Sequence, residues 1–143
     1  MQNTAKTILK EKSIKITKGR IAVLCELMHS AEPLSCEKLF LRVNRAGSDI
    51  NLSTVYRITA SLVKSAVINA VSLSGTEKTL YEYSPNVHRH MLVCIGCSRI
   101  LPLENCPLRT YVKDVEGKTG FTVKGHNLDL YGYCPDCAQK DRE

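Results

Sequence analysis

The chain has 143 residues, 43% of them hydrophobic, with a mean hydropathy of −0.14, enough for one medium domain or two small ones. No apolar run approaches the ~20 residues of a membrane helix. The opening MQNTAKTILKEK lacks the apolar core of about 7–15 residues that a signal peptide needs, so a cytoplasmic protein with no membrane partner is expected. The net charge of +6 divides into +5 over residues 1–84 and +1 over the remainder, and a basic first half suits a polyanionic partner.

In chain order, residues 3–12 place Ala5, Ile8 and Leu9 on one face of a first helix. Thr17 is placed to cap a second, in which Ile21, Leu24, Cys25 and Met28 keep helical spacing. His29 falls near its end, where the helix dipole favours a cation, and Glu32-Pro33 closes the run. Ser35 opens a third helix with Cys36, Leu39, Phe40 and Val43 inward, and Gly47-Ser48-Asp49 breaks it. Ser53 is expected to cap a fourth, over residues 54–66, that buries Val55, Ile58, Leu62 and Val63. Cys25 and Cys36 fall on apolar faces and read as core.

The period then changes from helical to extended. Residues 67–73, a turn at 74–78 and residues 79–83 form the pattern of a β-hairpin. Helices followed by a hairpin are the order of a winged helix-turn-helix, with the fourth helix as the reading helix. Its outward Ser53, Thr54, Tyr56, Arg57 and Ser61 carry groups that bond phosphates or base edges. Lys15, Lys18, Arg20, Arg57 and Lys64 supply phosphate contacts. The plainer alternative for that helix is a capped, solvated face.

Residues 85–87 read as a linker, because Pro85 blocks both helix and ladder. The second half, 88–143, follows as strand, Cys94-Ile95-Gly96-Cys97 turn, strand, a helix over 105–118, a long strand over 121–131, and Cys134-Pro135-Asp136-Cys137. Such an α/β unit is too small to stand well alone, so a homodimer is expected. The fold class is therefore α+β: a winged helix-turn-helix domain over 1–84, then an α/β dimerisation domain closed by a four-cysteine zinc site.

There are seven cysteines. An odd count without a signal peptide argues against a disulfide framework. Two CxxC pairs, separated by 36 residues, let Cys94, Cys97, Cys134 and Cys137 complete a tetrahedron around a structural Zn2+. A redox CxxC opens a helix, whereas both pairs here are expected to follow strands. His88 and His90 share one face of an extended segment, and His126 lies eight residues before Cys134. With Cys106, placed at the opening of the intervening helix, they form a candidate second site. Glu104 is the weaker alternative ligand, and the plain alternative makes the histidines polar linker residues and Cys106 a buried cap. Imidazoles with one thiolate suit Zn2+ better than Mg2+, Ca2+ or Mn2+.

The segments TKGRIAVLCELM, LSCEKLFLRV, LSTVYRITASLV, LYEYS, HRHMLVCIGCSRI and GFTVKGHNLDLYGYCPDC, in that order, resemble the ferric uptake regulator family over nearly the whole chain. The resemblance implies a winged-helix domain, a hinge and an α/β dimerisation domain. It also implies a repressor that binds palindromic double-stranded operators when its metal is present. The four-cysteine site and the motif at Ser53, Thr54, Tyr56 and Arg57 match the family pattern. At the hinge, Arg89, Met91, Pro33 and Ser84 stand where members often carry ligands, which leaves Glu82 as the candidate hinge ligand. Within the dimerisation domain His88, His90 and His126 are retained. Arg109 occupies the usual acidic position, and Cys106 is the candidate replacement. ENCPL and GHNLDLYGYCPDC look most like the zinc uptake regulator branch, which makes the second ion Zn2+, with Fe2+ or Mn2+ as the alternative ion and iron, manganese or peroxide as the alternative signal. Two rivals stand beside this reading. One is a zinc hydrolase or thiol oxidoreductase, although neither an HExxH nor a nucleophile elbow is present. The other is a DNA-binding protein whose zinc is structural only. The expectation is a regulator that is not an enzyme and takes no small-molecule substrate.

Overall fold

A computed structural model of the chain describes residues 1–72, 77–84 and 90–141. The expected linker at 85–87, His88, Arg89 and most of the hairpin turn lie outside the described residues. The chain divides into two compact units, Met1–Asn86 and Val87–Glu143.

In the first unit, helices α1 (Gln2–Glu11), α2 (Lys18–His29), α3 (Cys36–Arg45) and α4 (Leu52–Lys64) precede strands β1 (Asn69–Ser72) and β2 (Thr79–Glu82). The hydroxyls of Thr17 and Ser35 accept from the Arg20 and Lys38 amides, each at 3.2 Å, satisfying donors that have no partner within their helices. Helix α4 departs from expectation, because Asn51 and not Ser53 is its cap. The Asn51 Oδ1 accepts the Thr54 amide at 2.8 Å and also the Ser53 and Thr54 hydroxyls, both at 2.8 Å. Asn caps at least as well as Ser, and here it gathers three donors at once.

Helices α1, α3 and α4 end alike, on a residue with left-handed backbone: Ser13 (φ 56), Gly47 (φ 98) and Ala66 (φ 54). After α4 the Val67 amide donates to the Leu62 carbonyl at 2.9 Å and the Ala66 amide to Val63 at 3.0 Å, which is the Schellman arrangement. Ala66 holds this conformation against the clash of its own Cβ. Ala66→Gly is therefore expected to raise the unit's stability by roughly 0.5–1 kcal/mol, the left-handed cost less glycine's added chain entropy. A shift of the denaturant midpoint at constant slope measures it.

Leu9, Val23, Leu24, Leu39, Val43, Val55 and Leu62 are fully buried in one core. Cys36 is buried with them, and Cys25 is only partly covered. The hairpin pairs Asn69 with Glu82 through Ser72 with Thr79. Leu34 and Tyr81 exchange both backbone hydrogen bonds at 2.8 Å, tying β2 to the segment that enters α3. Four helices and this anchored hairpin form the winged helix.

The second unit runs β3 (His90–Cys94), β4 (Ile100–Leu103), α5 (Arg109–Thr119), β5 (Asp129–Gly132) and α6 (Pro135–Asp141). Its sheet has the order β4-β3-β5, with β4 antiparallel and β5 parallel to β3. Two expectations are corrected here, and one helix is added. The helix begins at Arg109, so Cys106 lies in the preceding loop; Pro107 disfavours helical backbone at its predecessor. The long strand shrinks to β5, and His126 sits in the irregular stretch before it. There the Val123 amide is taken by the Glu116 carboxylate at 2.8 Å and not by a ladder. Finally, Pro135, favoured at a first helical position, opens α6 inside the second CxxC pair. Among the described residues, no helix is long and apolar enough to cross a membrane.

Candidate metal centres and nucleic-acid interface

The two cysteine pairs meet because β3 and β5 are parallel neighbours, with Cys94 opposite Gly132, so both CxxC turns leave the same end of the sheet. The four sulfurs of Cys94, Cys97, Cys134 and Cys137 all lie within 4.8 Å of one another, and Cys97 Sγ stands 3.8 Å from Cys134 Sγ. Bonds of ~2.3 Å at tetrahedral angles put thiolates about 3.8 Å apart, so the cluster has the size zinc requires. Backbone amides support the charge. The Cys134 N–H, 3.2 Å from Cys94 Sγ, is the main reason the Cys94 thiol is drawn down to about 6; the Cys97 and Gly96 amides add to it. Cys137, hydrogen-bonded first to Cys134 and also desolvated, is pushed up to about 12. The turn leaves no room for bulk: a Cβ on Gly96 would stand 2.9 Å from Cys137 Sγ.

The second cluster is a nearly equilateral triangle. Cys106 Sγ lies 3.2 Å from both His90 Nε2 and His126 Nε2, and the two nitrogens are 3.3 Å apart. Three atoms on such a triangle lie about 1.9 Å from its centre, less than a zinc–nitrogen bond of ~2.0–2.1 Å or a zinc–sulfur bond of ~2.3 Å. The spacing is that of three ligands of one tetrahedral site, so His90, Cys106 and His126 would together hold a single ion. His90 is 2% exposed, and its Nδ1 lies 3.0 Å from the Leu128 carbonyl. A carbonyl only accepts, so Nδ1 carries the hydrogen and Nε2 turns its lone pair to the cluster. The His90 and His126 rings stack with centroids 5.1 Å apart. Glu116, holding Val123, steadies the segment that presents His126. Of the sequence candidates, His90, Cys106 and His126 are brought together, and His88 lies outside the described residues. Glu104 is exposed and outside this cluster, and Glu82, half-buried on β2, belongs to neither.

On the first unit, Tyr56 and Arg57 are exposed on α4, as are Ser53 and Lys64, while Thr54 is half-buried. Lys15, just before α2, and Lys18, its first residue, are exposed, and the half-buried Arg20 donates to the Lys15 carbonyl at 2.7 Å. Of the reading-helix candidates, Ser53, Tyr56, Arg57 and Lys64 are thus open to solvent on a basic unit. Sequence reasoning missed two residues here. Asn51 was available from cap preference alone. Glu37, which accepts the Tyr56 phenol at 2.8 Å, stands 19 positions away and left no sequence signal.

A winged helix in one unit and thiolate–imidazole clusters in the other define the class of metal-responsive transcription regulators. The model of the ferric uptake regulator family matches residues 11–131. The chain is 32% identical over 139 residues to the ferric uptake regulation protein of Campylobacter upsaliensis, covering 96% of this chain and 88% of that one. Among solved structures, it resembles the Vibrio cholerae ferric uptake regulator at 26% identity and a TM-score of 0.76, covering 88% of this chain and 96% of that one. The Helicobacter pylori ferric uptake regulator, described as having three functional metal-binding sites, shares the fold at a TM-score of 0.81 and 21% identity, over 96% of this chain and 94% of that one. The chain belongs to the ferric uptake regulator family.

Proposed function

We propose that this protein is a cytoplasmic, zinc-responsive repressor that binds palindromic operator DNA as a homodimer. The observation that carries the reading is the His90–Cys106–His126 triangle. It offers two borderline nitrogens and one soft sulfur at tetrahedral spacing, a set that favours Zn2+ over the oxygen-preferring Mn2+. The four-cysteine cluster is closed by its own ligands and serves as a structural zinc site. The triangle is the exchangeable one. Dimerisation is supported by large apolar side chains left exposed on the small second unit, among them Leu101 (55%), Leu130 (46%) and Tyr133 (47%). A two-fold dimer presents two α4 helices to half-sites about 34–36 Å apart, or multiples of that spacing. Metal acts by population shift, raising the fraction of molecules whose two reading helices fit successive grooves.

The test is metal content per monomer, with and without mild chelation, measured alongside binding to a palindrome from the protein's own promoter. Two zincs are expected, the weaker one leaving together with operator binding. A single unremovable zinc with unchanged DNA binding would mean a regulator that does not sense through this cluster. In the same assay Arg57→Ala is expected to lower preference for the operator over random duplex. Lys18→Ala should weaken both about equally, because phosphate contacts carry no sequence information.

A further inference from the structure

On the outward face of α4, the Tyr56 hydroxyl donates to Glu37 Oε1 at 2.8 Å. The carboxylate is itself well anchored. Glu37 is the second residue of α3, where unpaired amides and the positive end of the helix dipole favour an anion. Its own backbone N–H is the main cause that holds its carboxyl below the usual range, followed by the Tyr56 phenol, with the Ser35 hydroxyl also contributing. The same contact raises the phenol of Tyr56. At neutral pH the proton therefore stays on Tyr56 and the charge on Glu37.

A phenol has one hydrogen, and an ionised carboxylate can only accept. With that hydrogen committed to Glu37, the Tyr56 oxygen offers solvent, or a ligand, only its lone pairs. In the major groove the donors are the exocyclic amino groups of adenine and cytosine. Thymine O4 and guanine O6 and N7 are acceptors, as are phosphate oxygens. An acceptor-only phenol discriminates between these two sets, whereas a free tyrosine hydroxyl serves either.

We propose that Glu37 is a specificity-determining positioning residue, which makes Tyr56 an acceptor that reads the amino group of adenine or cytosine at one position of each half-site. The proposal rests on the reading that α4 enters the major groove. It assigns Glu37, an acid on a surface that meets a polyanion, a role that simple charge attraction does not explain.

The experiment uses the full-length, zinc-loaded protein. Sites are enriched from a randomised duplex library, and affinities are then measured for every single base-pair change in the enriched site. Tyr56→Phe keeps the ring and is expected to lose about three- to tenfold discrimination at one position per half-site, the worth of one hydrogen bond. Glu37→Ala should relax the same position by admitting thymine or guanine, and Tyr56→Phe/Glu37→Ala should match Tyr56→Phe alone. Glu37→Gln, whose amide oxygen still accepts the phenol, should restore the wild-type profile. The proposal is overturned if Glu37→Ala leaves that position unchanged, or if it weakens all positions equally as a loosened fold would. Failure of the wild type to enrich any sequence overturns the DNA-reading assignment itself, a result distinct from failure at one position.

Discussion

Replacing Cys134 by serine should remove the zinc proposed for the four-cysteine cluster and unfold the second unit while leaving the winged helix folded. The physical reason is the thinness of that unit's core. Among its described residues the buried side chains are His90, Met91, Val93 and Cys94, and helix α5 buries none. Three apolar side chains, at about 1.5–3 kcal/mol each, give less than 10 kcal/mol of burial. A structural zinc contributes apparent values of about 10–16 kcal/mol at neutral pH, so a zinc held by the four cysteines would decide whether the unit folds. The first unit buries Leu9, Val23, Leu24, Leu39, Val55 and Leu62 together and needs no such help. Amide hydrogen exchange resolved along the chain provides the check. Protection should vanish over 90–141 and persist over the helices of 1–72. Full protection in a zinc-free variant would show that the cluster does not determine the fold.

Cys106→Ala should keep the structural zinc but abolish the metal response of DNA binding. Losing one of three ligands should weaken the second ion by at least the ~10–100-fold that removing a group supporting a ligand costs. Moving a two-state population from 1:99 to 99:1 requires about 5.5 kcal/mol of differential binding, and a weakened ion cannot supply it at the same free concentration. Cys106→Asp is the informative partner, since exchanging a soft sulfur for a hard oxygen should restore a response and move it toward Mn2+ or Fe2+. Fluorescence anisotropy of labelled operator, titrated with each metal, measures both. An unchanged zinc response in Cys106→Ala would exclude the triangle from sensing.

The residues that declared themselves in the sequence are those whose chemistry is local. Thr17 and Ser35 cap helices within three residues. The apolar spacing of α2 to α4 marks one buried face, and each CxxC brings its two sulfurs together in a single turn. Even where the local reading failed, the competing signal was nearby: Asn51 outcompetes Ser53 as a cap, and Pro107 keeps Cys106 out of α5. Irregular backbone over 120–128 was harder to foresee, because it depends on Glu116 capturing the Val123 amide.

The sequence by itself determined the inventory: a basic helical half, a hairpin, two cysteine pairs, and a few histidines available for a second ion. Tertiary structure alone decided which of these meet. Parallel pairing of β3 with β5 brings the two CxxC turns to one end of the sheet. A loop–strand–loop arrangement closes His90, Cys106 and His126 into a triangle with sides of 3.2–3.3 Å, although 16 and 20 positions separate neighbouring members. Packing of α3 against α4 sets Glu37 on Tyr56. Local propensity acts over a turn or two of chain, whereas ligand geometry is a distance between segments, and only the packed fold fixes that.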